Sequence, residues 1–384
     1  MFDDFADDDD LYEEEGEDYA SAPAGTLLPP RENPELFGHE HIEQTLISLY
    51  SKGTLPHALI FAGPMGVGKT TMAFRFARFL LSQKGDADQD SLFGDAPAAP
   101  TNMNVASDDP IFRKVASGGH PDLRTIERPI DEKKGVRKGI VDVESVRTIA
   151  PFLRMSASEG GWRIVIVDEA DLMNRQSQNA ILKILEEPPP QSLLILVCNR
   201  LGAMIPTIRS RCRVLHFAPL DNTTLATLLK RAMPQATSGD IALLSLLSDG
   251  SMGRAVHLQE EGGVNMLHSI LDFLTGWPKW DWAKIHPWAD NLSRAGDEKS
   301  YLAFTSLMEW VTASILRAKA APERGLPEIL NTQGVNTLQN HYSLEQMIDI
   351  CEKLKAHFIS IENSNLDKRQ GVIGAFAILG GQTP

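Results

Sequence analysis

The eight residues Gly63-Pro64-Met65-Gly66-Val67-Gly68-Lys69-Thr70 fit the pattern GxxxxGK[ST] in full, and no other feature of the chain constrains its fold as strongly. The apolar run His57 to Ala62 precedes them and reads as a short buried strand. Met72, Ala73, Phe76, Ala77 and Leu80 then recur at helical spacing, which predicts a helix over Thr70 to Leu81. A strand that enters a glycine-rich turn and leaves as a helix is the context in which this pattern binds phosphate. Glycines at 63, 66 and 68 let the backbone bend until successive N–H groups face one anion. The helix start adds partial positive charge. Lys69 reaches the β and γ phosphates, and the Thr70 hydroxyl ligates Mg²⁺. The expected ligand is therefore the phosphate chain of a nucleotide, with Mg²⁺.

The residues that follow extend this to an α/β domain. Strands are predicted at Leu123–Ile126, Arg163–Val167, Leu193–Cys198 and Val214–Phe217. Helices are predicted over Asp142–Leu153 and Gln176–Glu187, the second stopped by Pro188-Pro189-Pro190. Near-continuous apolar strands separated by helices indicate a parallel sheet covered on both faces. The strand Ile164-Val165-Ile166-Val167 ends in Asp168-Glu169. Alone, this could be a strand end with a helix cap. Behind a complete phosphate loop it reads as an acid that holds Mg²⁺ through water, followed by one that orients or deprotonates the attacking water. The stretch Gln83 to Gly118 is rich in Asp, Ala, Pro, Ser and Gly, shows no period, and is expected to be an irregular surface insertion.

After Pro219 the chain reads as all-helical, with segments predicted at Asp221–Met233, Ser238–Leu247, Ser251–Leu258, Val264–Leu274, Ser300–Ala321, Ser343–Ile361 and Asp367–Leu379. Four of the six tryptophans lie between Trp277 and Trp288, which reads as core packing at a helix junction rather than a ligand cage. The 384 residues allow two to three domains at roughly 150 residues each.

The formal charge of −14 is unevenly spread. Residues 1–20 hold eleven acids and no Lys or Arg. Removing those eleven from 51 leaves 40 acids against 37 bases, a net of −3 for the remainder. Residues 1–33 read as a disordered acidic tail. The three cysteines form no CxxC or Cys/His cluster, so no structural zinc is expected. With no apolar h-region near the N-terminus and no apolar run of membrane length, the expectation is a soluble cytoplasmic protein.

Two basic features stay open on chemistry alone. Arg209-Ser210-Arg211-Cys212-Arg213 is either a solvated turn or the source of an arginine that acts on a neighbouring subunit's nucleotide. Lys133, Lys134, Arg137 and Lys138 are either surface decoration or a contact to DNA phosphates.

With these residues in view, the chain resembles the bacterial clamp-loader family of the AAA+ superfamily, and within it the DNA polymerase III delta-prime branch. The resemblance runs from about Leu36 to Leu258, with a weaker helical match beyond. It rests on Leu36-Phe37-Gly38, His57 to Thr70, Gly119-His120-Pro121-Asp122, Gly139 to Val146, Asp168 through Pro189 and Ser210-Arg211-Cys212. It implies an α/β P-loop AAA+ domain (34–219, with 83–118 inserted), a small helical lid (220–260) and an all-α collar (261–384) that joins five subunits in a ring. Such an assembly, with delta and tau/gamma subunits as partners, loads the sliding clamp onto primed DNA.

By position the resemblance assigns Gly63, Gly66, Gly68, Lys69 and Thr70 to the phosphates. Thr70 and Asp168 go to Mg²⁺, and Glu169 becomes the catalytic acid of the Walker B pair. Asn199 becomes sensor 1, Arg254 sensor 2, Arg211 the trans-acting finger, and Leu36, Phe37 and Gly38 the border of the adenine. Two departures stand out: the zinc-module interval holds no cysteine, and the nucleotide motifs are intact where many delta-prime subunits have lost them. The expected role is a stator that donates Arg211, and the alternative is a motor subunit that hydrolyses its own ATP as tau/gamma does. A stand-alone P-loop kinase or helicase fits poorly. It leaves the Ser-Arg-Cys segment and the collar without a purpose.

Overall fold

The computed structural model describes residues 28–83, 100–131, 136–137, 139–159, 161–293, 298–363 and 366–381. The acidic tail up to residue 27, most of the acid-rich part of the insertion, and Lys133, Lys134 and Lys138 of the basic loop lie outside them, as does the Arg137 side chain. The chain forms two compact units. One runs to Ala62 and then from Gly68 to His216. The other takes in Gly63–Val67 and runs from Phe217 onward.

The first unit contains, in order, α1 (Glu40–Ser51), β1 (Ala58–Ala62), α2 (Lys69–Ser82), α3 (Pro110–Ala116), β2 (Leu123–Ile126), the two-residue strands β3 (Ile130–Asp131) and β4 (Val136–Arg137), α4 (Val143–Arg147), α5 (Ile149–Arg154), β5 (Arg163–Val167), α6 (Arg175–Ala180), α7 (Leu182–Glu186), β6 (Ser192–Cys198), α8 (Pro206–Arg209) and β7 (Arg213–His216). Five strands form one parallel sheet in the order β2-β5-β6-β1-β7. Every residue of β1, β5 and β6 is buried, as a sheet covered on both faces requires. Alternate residues (Ala58, Ile60, Ala62, Val165, Val167, Leu194, Leu196) share one apolar cluster with Val146, Ile149, Phe152 and Leu185. The residues between them turn to the other face, where α2 packs on β1, β5 and β6.

Several features differ from the sequence expectation, and the helix predicted over Gln176–Glu187 is one of them: it is α6 and α7 with a break at Ile181. The helix predicted over 142–153 is two helices, because Pro151 has no N–H to give the Arg147 carbonyl and the ladder breaks at Thr148. The stretch expected to be irregular carries α3, with Asp109 as N-cap accepting from the Ile111 N–H and Pro110 at the first helical position. Its seven residues are too few to show a period. Packing holds it: the buried Phe112 ring lies under the Arg78 guanidinium at 4.6 Å.

Arg78 is the largest fully buried side chain of this unit. Its guanidinium donates to the carbonyls of Arg31 (2.8 Å) and Asn33 (2.7 Å), and one turn earlier Arg75 donates to the Pro34 carbonyl and pairs with Glu43. Together these fasten residues 31–34 along α2. Burial brings the Arg78 pKa down to about 10, so it stays charged at neutral pH. Asp122, of the His-Pro-Asp segment, is also structural. It accepts from the N–H groups of Ser158 and Glu159 and faces the Arg163 guanidinium at 3.3 Å.

The second unit contains α9 (Asn222–Ala232), α10 (Ser238–Leu247), α11 (Met252–Glu260), α12 (Gly263–Leu274), α13 (Trp282–Leu292), α14 (Glu298–Ala320), α15 (Gln333–His341), α16 (Leu344–Asn363) and α17 (Lys368–Leu379). Asp221, Thr237, Ser251, Thr332 and Asp367 cap α9, α10, α11, α15 and α17 through their side-chain oxygens. One apolar cluster runs through it, from Leu225, Leu244 and Leu258 to Leu267, Phe304 and Phe376, so the segments 220–260 and 261–384 share a core. Trp280 and Trp288 pack on Phe376 in that core. The helix α13 was not expected because Pro287 lies inside it. Among the described residues no helix is long and apolar enough to cross a membrane.

Removing the Arg78 head group leaves two part-buried carbonyls without their donor and opens a cavity beside Phe112. We expect Arg78→Ala to lower unfolding stability by about 3 kcal/mol. Urea unfolding of the full chain measures the loss, and amide exchange at residues 31–34 should rise with it.

Candidate nucleotide-binding site

The sheet order brings the carboxyl ends of β5, β6 and β1 side by side, since Val167 pairs with Leu196 and Ala62 with Cys198. Ligands of parallel α/β sheets gather at this edge. Asp168 and Glu169 follow β5 directly, Asn199 follows β6, and Lys69 and Thr70 open α2. Four of the expected site residues meet there. Lys69 Nζ donates to Asn199 Oδ1 at 2.9 Å, and Thr70 Oγ1 donates to Asp168 Oδ1 at 3.0 Å.

The charged members of this group are held against their solvation preference. Lys69 is 4% exposed, and burial lowers its pKa, opposed by the carboxylates of Asp168 and Asp171. Burial likewise raises the Asp168 pKa, against hydrogen bonds from the Thr70 hydroxyl and the Glu169 N–H. Each group therefore favours a ligand of opposite charge: an anion at Lys69 and a cation at Asp168.

The oxygens fit a magnesium ion. Octahedral ligands at about 2.05 Å stand about 2.9 Å apart along an edge, and Thr70 Oγ1 and Asp168 Oδ1 already have that spacing.

The loop before Lys69 has the backbone that a phosphate cradle needs. Gly66 and Gly68 have φ of +75° and +103°, a region that favours glycine. A Cβ at Gly68 would stand 2.8 Å from the Leu36 side chain, which places the Leu36-Phe37-Gly38 segment against the start of α2.

The remaining expected residues are engaged elsewhere. Arg128 grips both oxygens of Glu169, at 2.5 and 3.2 Å. Arg211 pairs with Glu186 at 2.9 Å on an exposed surface of the first unit and donates to the Thr207 carbonyl. Arg254 lies in the second unit, where its guanidinium donates to the Ser306 carbonyl at 2.9 Å and to Asp249 at 3.4 Å.

Two residues here carry no sequence signal. Arg128 meets Glu169 because β2 and β5 pair Ile126 with Val167, and two further residues on each chain bring the side chains together. Asp171 is buried and accepts from the Asn199 N–H (2.9 Å) and the Arg200 guanidinium (3.3 Å), so it sets the position from which Asn199 meets Lys69. Both depend on strand register, and no spacing in the sequence reveals it.

Residues 38–221 match the family model described as "DNA polymerase III, delta subunit". The chain is 31% identical over 207 residues to DNA polymerase III subunit delta' of Pseudomonas aeruginosa, covering 54% of this chain and 56% of that protein. It is 28% identical over 330 residues to DNA polymerase III subunit delta' of Escherichia coli K12, covering 84% and 89%. It is 30% identical over 271 residues to replication factor C subunit 5 of Mus musculus, covering 68% of each. The chain belongs to the clamp-loader family. The match to the Pseudomonas relative thus spans little more than half of that protein. The part shared with the family model takes in Lys69, Thr70, Asp168, Glu169, Asn199 and Arg211 and ends before Arg254.

The two displaced pKa values set a pH window for this clamp-loader site. Nucleotide binding needs Asp168 ionised and Lys69 protonated. Affinity for Mg²⁺-ATP should fall on the acid side at a pH above the ordinary aspartate range, and on the alkaline side below the ordinary lysine range. For Asp168 the sign also means that acidification favours the unliganded fold at this group, so the acid limb reports binding rather than unfolding. Titration of a fluorescent ATP analogue against pH checks this, and Asp168→Asn should abolish the acid limb.

Proposed function

We propose that this chain is a clamp-loader ring subunit of the delta-prime type. It binds Mg²⁺-ATP, lends Arg211 to a neighbouring subunit's nucleotide, and supports ATP-dependent loading of the sliding clamp onto primed DNA alongside delta and tau/gamma partners in the cytoplasm. The observation that carries the nucleotide part is the meeting of Lys69, Thr70, Asp168 and Asn199 at one sheet edge. The glycine loop and the Lys69 ammonium take the β and γ phosphates. Thr70 and Asp168 hold Mg²⁺, which neutralises phosphate charge when bound. Asn199, set by Asp171, keeps Lys69 aimed at the phosphates.

The two arginine–glutamate pairs differ in what they ask of the assembly. Arg211 and Glu186 are both exposed, and such pairs are worth about 0–1 kcal/mol. A neighbouring phosphate outcompetes Glu186 easily. Glu169 is different: Arg128 holds both its oxygens in a partly buried pair, so a cation already engages the carboxylate that would have to take a proton from the attacking water. Binding ATP leaves this pair intact, whereas hydrolysing it requires the pair to open.

A second reading is a motor subunit that turns over its own ATP. The complete Lys69, Thr70, Asp168 and Glu169 set favours it. Reconstitution with candidate partners separates the two. With Glu169→Gln in this subunit alone, a stator leaves the complex's ATPase rate unchanged and a motor lowers it.

Lys69→Ala should abolish ATP binding by the isolated chain in equilibrium titration. Arg211→Ala should leave that affinity and ring assembly intact. It should slow hydrolysis at the one site it serves by about 10³-fold, and so lower the complex's DNA-stimulated rate by that site's share. An unchanged rate removes the finger assignment.

A further inference from the structure

A loop that binds phosphate through its N–H groups leaves its carbonyls needing donors of their own. Two of those carbonyls are met by one helix end. Within the second unit, which includes Gly63–Val67, Ser251 Oγ donates to the Met65 carbonyl at 2.8 Å and the Gly253 N–H donates to the Gly66 carbonyl at 3.1 Å. Ser251 Oγ also accepts from the Arg254 N–H at 3.1 Å, so one hydroxyl caps α11 and grips the loop.

The contact is close enough to restrict side chains. A Cβ on Gly66 would stand 2.4 Å from Ser251 Oγ, and one on Gly253 would stand 3.1 Å from the Gly66 Cα. The turn that presents Ser251 is itself fixed. Gly250 has φ of +78°, accepts from the Leu220 N–H at 2.9 Å, and has no room for a Cβ beside Pro219 and Leu220. Just beyond, Arg254 is tied to the Ser306 carbonyl of α14.

We propose that Ser251 is a positioning residue for nucleotide binding. Its hydroxyl, together with the Gly253 amide, holds the Met65 and Gly66 carbonyls away from the ligand and keeps the loop's N–H groups turned toward phosphate. This rests on the reading of residues 63–70 as the nucleotide loop. The shape of the phosphate cradle is then set partly by a residue 186 positions away in sequence.

The test uses the full chain and a fluorescent ATP analogue with Mg²⁺. Ser251→Gly removes the donor but costs a helix N-cap only a few tenths of a kcal/mol. It should weaken binding by about three- to tenfold, the worth of one neutral hydrogen bond. Ser251→Thr keeps the hydroxyl and should bind within about twofold of the parent. Ser251→Gly should lower the unliganded unfolding temperature slightly, by the loss of the Met65 hydrogen bond and the cap, and Ser251→Thr should not. Parent-like affinity in Ser251→Gly overturns the proposal. So does an equal loss of affinity in Ser251→Thr, which keeps the hydroxyl, because the effect would then not follow the donor. A parent chain that binds no nucleotide removes the reading of the loop itself, and the proposal with it, before any variant is compared.

Discussion

Lys69 carries its ammonium group into a site with almost no access to water, and the surrounding structure is arranged around that charge. An isolated buried ammonium is costly. Here it is met by the Asn199 side-chain oxygen and by the fields of Asp168 and Asp171, yet its pKa still lies below the ordinary lysine value because desolvation exceeds what those groups return. Asp168 is in the opposite position, a carboxylate that burial pushes toward its neutral form. Neither charge is comfortable in the unliganded protein. A ligand that is anionic where it meets Lys69 and brings a cation to Asp168 relieves both at once, and Mg²⁺-ATP has that charge pattern. The cost of burying these two charges is thus a source of affinity for such a ligand.

That arrangement depends on the sheet more than on the loop. β5, β6 and β1 deliver Asp168, Asn199 and the phosphate loop to one edge because they are adjacent and parallel, and adjacency is a matter of topology. The same sheet places Arg128 beside Glu169 through the β2–β5 register. The cluster around Lys69 and the pairing of Glu169 with Arg128 thus both follow from which strands are neighbours.

This explains which parts of the protein were legible in the sequence. The phosphate loop, its flanking strand and helix, and the Asp-Glu strand end are local, so periodicity and spacing suffice to find Lys69, Thr70, Asp168 and Glu169. The capped helices after Pro219 were legible for the same reason, since Asp221, Ser251 and Asp367 announce their starts. The split at Thr148 was missed because Pro151 sits where an apolar period suggested continuity. Helix α3 was missed because its stability comes from Arg78 across space, beside a run of loop-forming residues. Asp171, Arg128 and the Ser251 grip were missed for a stronger reason. Each acts through a partner whose closeness is created by the fold: Asn199 28 residues away, Glu169 41 residues away and Met65 186 residues away.

The Ser251 contact also bears on why a glycine stands on each side of the α11 N-cap, Gly250 before it and Gly253 in the first helical turn. A phosphate loop needs glycine where its own dihedral angles are unusual, and Gly66 and Gly68 meet that need. Gly253 has no such angle, yet a side chain there would press on the Gly66 backbone. Its smallness serves the loop. The Gly-Ser-Met-Gly-Arg segment therefore does three separable things with adjacent residues. Gly250 makes the turn, Ser251 and Gly253 supply donors at backbone distance, and Arg254 reaches on to α14. Such packing of roles explains how a short helix end can hold a catalytic loop in shape while its arginine stays tied to the long helix behind it.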